Sequence, residues 1–230
     1  MRSSKFFYRG IRGTSGKFCV SAAMVLAAAM AAQAQVWTES PDAPELQPGQ
    51  MTLGVGPLTT INGSIFNPDV DADLYCIHIP DMALFLATTT KSAGLFVPDP
   101  QLFLFTTNGV GIVYDTNIVP GTATISGGLL PNPSLYPAGD YLLGYSASDK
   151  DPYDSPTLAN MIFPDIAGPQ QLALITTPLA AWDLNGSASP TSYTITLTGA
   201  EYCGVPEPQT LGLLSLGCLT AMTRRRWWRK

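Results

Sequence analysis

The chain has 230 residues and a formal net charge of −5, and only 13% of its residues are charged, about half the share usual in soluble domains. The charges are segregated: ten of the twelve basic residues lie in 1–34 and 205–230, leaving Lys91 and Lys150 against sixteen acids in the 170 residues between them, a net charge of −14. So acidic a body repels phosphate backbones, which excludes DNA and RNA as partners, and its shortage of Lys, Arg and Glu argues against long amphipathic helices.

At the N-terminus, Arg2, Lys5, Arg9, Arg12 and Lys17 precede an apolar stretch over 18–32 and the triplet Ala32-Gln33-Ala34. A basic region, a short apolar core and small residues at the first and third positions before a scissile bond make a secretory signal peptide, with signal peptidase cutting between Ala34 and Gln35. The competing reading is an uncleaved anchor, for which the apolar core is short of the roughly 20 residues that a spanning helix needs. Residues 35–50 set acids among prolines, as in Glu39, Pro41, Asp42, Pro44 and Glu45, and predict a mobile acidic leader ahead of one domain over 51–204.

That domain reads as all-β. Strands are expected at 51–55, 59–66, 74–79, 83–90, 101–106, 111–115, 139–146, 171–176 and 193–198. The last is the plainest, since Tyr193, Ile195 and Leu197 share one face and three threonines the other, the period-two pattern of a half-buried strand. Asn67-Pro68-Asp69, Asn108-Gly109, Gly127-Gly128, Pro137-Ala138-Gly139 and Asn185-Gly186 supply turn chemistry between them. Short strands at this spacing predict an antiparallel, jelly-roll-like β-sandwich. Residues 151–169 carry Pro152, Pro156, Pro164 and Pro169, which oppose regular pairing and predict an extended surface loop.

Three blocks of the body, Asp71-Ala72-Asp73-Leu74-Tyr75, Asp99-Pro100-Gln101-Leu102-Phe103-Leu104-Phe105 with Asn108-Gly109, and Leu135-Tyr136-Pro137-Ala138-Gly139-Asp140-Tyr141-Leu142-Leu143, resemble in their order the bacterial pre-peptidase C-terminal domain. The likeness spans about 59–199, and the proline-rich stretch from Asp151 departs from it. It implies a compact, non-catalytic β-sandwich serving adhesion, secretion or carbohydrate binding, with calcium bound in some relatives. On that footing Asp71, Asp73 and Asp99 are candidate calcium ligands. Asp69 joins them because the odd spacing of Asp69, Asp71 and Asp73 resembles the opening of a calcium loop, although the glycine and distal Glu of an EF-hand are missing. Aspartates ahead of strands also cap turns by accepting from nearby backbone amides, and that alternative stands beside the metal reading. The same choice faces Asp149, Asp151 and Asp154, which equally suit a solvated loop.

Cys19 falls in the signal peptide and Cys218 in the C-terminal apolar run, leaving Cys76 and Cys203. In an oxidising compartment these two are expected to pair; buried free thiols are the alternative. The single histidine, His78, leaves a zinc site short of ligands, and no Gly-x-Ser-x-Gly elbow accompanies it, so the sequence predicts no enzyme. Most aromatics suit strands. Trp182, just ahead of Asn185-Gly186, is the candidate sugar-stacking residue.

The chain closes with Val205-Pro206-Glu207-Pro208, an apolar run over 211–222, and Arg224-Arg225-Arg226-Trp227-Trp228-Arg229-Lys230. This arrangement resembles the PEP-CTERM sorting signal of bacterial envelope proteins, the substrate of exosortases. The resemblance implies a C-terminal membrane helix held by cytoplasmic arginines, processing near Pro206-Glu207-Pro208, and delivery to the outer surface or extracellular matrix. The sequence therefore points to a non-catalytic, exported protein of structural or adhesive role. The alternative is a calcium-dependent carbohydrate-binding module that would take extracellular polysaccharide.

Overall fold

The computed structural model describes residues 35–66, 71–90, 100–116, 122–146, 150–164, 168–184 and 191–204. Residues 1–34, where a signal peptide is expected, and 205–230, where the sorting tail is expected, lie outside the described residues. Among the described residues, no helix is long and apolar enough to cross a membrane.

The fold is all-β. Its strands are β1 (Gln35–Thr38), β2 (Gln50–Met51), β3 (Leu58–Ile65), β4 (Ala72–Ile79), β5 (Leu86–Thr90), β6 (Gln101–Thr106), β7 (Gly111–Thr116), β8 (Thr124–Ser126), β9 (Gly139–Ser146), β10 (Pro152–Tyr153), β11 (Gly168–Leu172), β12 (Ala181–Trp182), β13 (Thr191–Thr198) and β14 (Glu201–Tyr202). One sheet runs β1-β3-β13-β5-β8; a larger one runs β11-β7-β6-β9-β4-β14, with β2 also on β4; β10 and β12 form a separate ribbon. Most pairs are antiparallel, but β1 lies parallel to β3 and β2 parallel to β4, so the purely antiparallel arrangement expected from the sequence is broken by two short strands.

Alternation explains why the two sheets face each other. Ile61, Ile65, Ala87, Ile125, Ile195 and Leu197 from the first sheet meet Tyr75, Ile77, Ile79, Leu102, Leu104 and Leu143 from the second in one buried cluster. β4, β6 and β9, however, are apolar on both faces, as in the run Leu102-Phe103-Leu104-Phe105, and all four of these residues are fully buried. A strand without alternation must be covered twice, and a second cluster provides the other cover: Leu74, Phe103, Phe105, Tyr114 and Leu142 lie under Ile162, Phe163, Leu179 and Trp182. Phe103 meets Trp182 edge-on with ring centroids 5.3 Å apart, and Phe163 sits 5.0 Å from Tyr114.

This third layer corrects the expectation for 151–169. The prolines do limit pairing, since β10 makes only the Pro152–Trp182 and Tyr153–Ala181 contacts with β12. Ile162 and Phe163 are nevertheless buried, because the outer faces of β4, β6 and β9 are apolar and these two side chains help to cover them, with Leu179 and Trp182. Lys150 is also buried, its Nζ donating to the Asp183 carbonyl at 2.9 Å. Residues 35–50 are likewise no loose leader. β1 hydrogen-bonds to β3, Ala43 is buried in the inter-sheet core, and the Trp37 indole donates to Gln50 at 2.9 Å.

Asn108-Gly109 turns β6 into β7 as expected. Gly109 has φ +81°, a left-handed conformation that favours glycine, and its N–H donates to the Thr106 carbonyl at 2.8 Å.

Candidate functional site

The polar group that stands out is buried where the two sheets meet, beside the turn from β1 into 39–49. β4 alternates so that Tyr75, Ile77 and Ile79 face the other sheet; two residues before Tyr75, Asp73 shares that face and has 0% exposure. From the opposite sheet the Tyr193 hydroxyl donates to Asp73 Oδ2. The Tyr75 and Tyr193 hydroxyls are 2.7 Å apart, which links both tyrosines to Asp73 in one hydrogen-bonded chain. Tyr145, the β9 partner of Asp73, stacks on the Tyr193 ring with centroids 3.6 Å apart. Gly63 on β3 lies opposite Tyr193; a Cβ there would collide with the Tyr193 ring tip and the Tyr75 hydroxyl, so glycine is what lets two tyrosines meet over the strand.

The turn after β1 adds two acids. Glu39 reaches back so that Oε1 accepts the Ala43 N–H at 2.8 Å and Oε2 the Ser64 N–H at 2.7 Å. Asp42 is exposed on the same turn. One carboxylate oxygen from each of Glu39, Asp42 and Asp73 lies within 4.8 Å of the other two.

Burial pushes Asp73 up to about 9; the Tyr193 hydrogen bond opposes this, while the negative charges of Glu39, Asp71 and Asp42 add to it. Glu39 is also raised, chiefly by burial, against the pull of the Ala43 and Ser64 amides. Burial and then the Asp73 charge raise Tyr75, and burial followed by the neighbouring Tyr75 and Asp73 raises Tyr193. Both hydroxyls therefore remain donors at neutral pH.

Beside Glu39 opens a groove of about 310 Å³, lined by Thr38, Glu39, Asn62, Ser64, Tyr193 and Thr194 among others. The Thr194 hydroxyl donates to the Asn62 side-chain oxygen at 2.9 Å.

The structure separates the candidates named from the sequence. Asp69 and Asp99 lie outside the described residues, as do Ala34 and the sorting residues Val205, Pro206, Glu207, Pro208, Arg224, Arg225 and Arg226; Gln35 opens β1. Asp71 is buried and its Oδ2 accepts the Phe66 N–H at 2.6 Å, the backbone-capping role. Asp73, by contrast, joins Glu39 and Asp42. Asp154 clamps its own loop, with Oδ1 and Oδ2 accepting from the Asn160 backbone and side chain at 3.1 and 3.0 Å.

Cys76 and Cys203 are joined as a disulfide with Cα atoms 5.6 Å apart, within the span a bridge requires. His78 Nδ1 contacts Asp140 Oδ1 at 2.7 Å, on a part of β4 flanked by β9 and β14. Trp182 is not a sugar platform: it is 6% exposed, packed against Phe103 and Phe105, and its indole N–H donates to the Glu45 carbonyl at 2.7 Å. The large apolar outer face of β6 claimed it.

Glu39, Asp42, Tyr75 and Tyr193 went unnoticed as site residues in the sequence, and only Asp73 carried a signal there. No family model, curated protein or solved structure matches the chain.

Proposed function

We propose that the protein is a non-catalytic, exported component of the bacterial outer surface or extracellular matrix, with a structural or adhesive role. The signal peptide directs export, the 205–230 tail holds the chain transiently in the inner membrane, and an exosortase-type enzyme processes it near Pro206-Glu207-Pro208. The body that remains is an acidic, sandwich-like β domain. The observation that carries this reading is the Cys76–Cys203 bridge: residues 127 positions apart in sequence arrive at bonding distance, and such pairs persist where thiols are oxidised, outside the cytoplasm. The resemblance of the tail to the PEP-CTERM signal then supplies the route.

Intact mass of the protein recovered from membrane and matrix fractions, without reduction, tests it. The expected matrix species begins at Gln35, ends near Pro208 and lacks the two thiol hydrogens. An unprocessed C-terminus found only in the membrane overturns the matrix assignment.

The groove beside Glu39 favours a second reading, carbohydrate binding. Its lining of Thr38, Ser64 and Thr194 hydroxyls, the Asn62 amide and the Glu39 carboxylate suits a neutral sugar, whose own hydroxyls need both donors and acceptors. Retardation of the protein in gels containing a neutral polysaccharide supports this reading, and unchanged mobility across a panel of such polymers counts against it.

A further inference from the structure

We propose that Glu39, Asp42 and Asp73 hold a calcium ion where the turn after β1 meets the inter-sheet core. Calcium takes oxygen ligands at about 2.3–2.6 Å, so oxygens sharing one ion lie no more than about 5 Å apart. The three carboxylate oxygens here are all within 4.8 Å of one another.

Proximity of acids is by itself a commonplace of acidic surfaces, but Asp73 is no surface acid. It is 0% exposed, and its Oδ1 is a fully buried acceptor with no hydrogen-bond partner, whereas Oδ2 takes the Tyr193 hydroxyl. Buried acceptors are almost always satisfied, and an orphan in a native fold calls for a missing partner. The charges acting on Asp73 come from Glu39, Asp71 and Asp42, all acidic, so the partner that fits is positive. The two basic side chains among the described residues are engaged elsewhere: His78 with Asp140, and Lys150 with the Asp183 carbonyl.

The ligands are also held in place before any ion arrives. Ala43 and Ser64 amides fix the two oxygens of Glu39, leaving each a further lone pair, and Tyr193 fixes Asp73. Asp42, exposed on the turn, gives the ion its path from solvent. An all-carboxylate donor set selects a hard cation over zinc or copper. Among hard cations, the irregular spacing of oxygens from a turn and a strand suits calcium rather than the strict octahedron of magnesium. This assignment joins Asp73 to residues 31 and 34 positions upstream, rather than to the Asp69, Asp71 and Asp99 set suggested by the sequence. It is independent of the export route.

Terbium substitutes for calcium and is excited through nearby tyrosines, and Tyr193 donates directly to Asp73. Titration of the full chain in detergent with terbium should give tyrosine-sensitised emission that saturates at one ion per chain and is displaced by calcium. Asp42→Asn, a substitution at an exposed position with no core to disturb, should weaken terbium binding tenfold or more. Asp73→Asn should abolish the saturable signal, and Glu201→Gln on β14 should leave it unchanged. Emission that never saturates, that ignores Asp42→Asn, or that falls equally with Glu201→Gln overturns the site, because a diffuse counterion cloud around the acidic body would behave in those ways.

Discussion

Reduction of the Cys76–Cys203 bridge should cost the folded protein about 5 kcal/mol. The two cysteines are 127 residues apart, and a cross-link closing a loop of that length removes about 16 cal/mol/K of chain entropy from the unfolded state, or about 5 kcal/mol at room temperature. Domains of this kind are stable by only about 5–15 kcal/mol, so the bond accounts for a third or more of the total. With a urea dependence near 2 kcal/mol per molar, the unfolding midpoint should drop by about 2.5 M. The buried Trp182 provides the fluorescence signal, followed in urea with and without a phosphine reductant. Cys76→Ala with Cys203→Ala should reproduce the reduced midpoint and become insensitive to reductant. A midpoint that moves by less than about 0.5 M on reduction would refute the argument from loop entropy. Labelling of both thiols in the unreduced native protein would refute the bridge itself.

Two further outcomes follow from the third layer and from Asp73. Phe163→Ala should destabilise the protein by about 3–5 kcal/mol, measured by the same urea curves, because Phe163 is 3% exposed and packs on Phe103, Phe105 and Tyr114; a loss below about 1 kcal/mol would mean that residues 151–164 lie loosely on the sheet. Burial pushes Asp73 up to about 9, so with divalent ions chelated the folded state keeps a proton that the unfolded chain releases near pH 4. This contribution to stability is complete below about pH 4 and is lost as the pH rises toward 9, at no more than about 1.4 kcal/mol per pH unit. Asp73→Asn should flatten that decline in denaturation curves taken from pH 5 to 9; an unchanged slope would place the proton elsewhere.

Local pattern made the longer strands legible. β6 and β9 fall where the apolar runs end in turn residues, and β3 and β13 differ by one or two residues from their sequence expectation. Four strands of two or three residues, β8, β10, β12 and β14, were not anticipated, being too short for any period to show. β1 was missed because its place is set by parallel pairing to a strand more than twenty residues on. The prolines of 151–169 spoke correctly against long pairing, but burial of Ile162 and Phe163 answers to a bare sheet face that no local window contains. The same limit applied to the site. Asp73 was noticed for its spacing from Asp71, yet the start of β4 divides the two, since Asp71 precedes the strand and Asp73 lies within it. Asp71 accepts from the nearby Phe66 amide, while Asp73 meets a tyrosine 120 residues away and two acids from the turn after β1.

The bridge also governs how the molecule bears force. A pull on the chain beyond Gly204 enters the fold at Cys203 and passes through sulfur into the middle of β4, which is paired residue by residue with β9 from Ala72–Ser146 to Ile79–Gly139. While the bond holds, the chain between Cys76 and Cys203, 127 positions apart, cannot pay out, and about 430 Å of contour length stays hidden from tension. Stretched between Gln35 and Gly204, the oxidised protein is a short tether with stiff limits, and the same chain in a reducing medium is a long one.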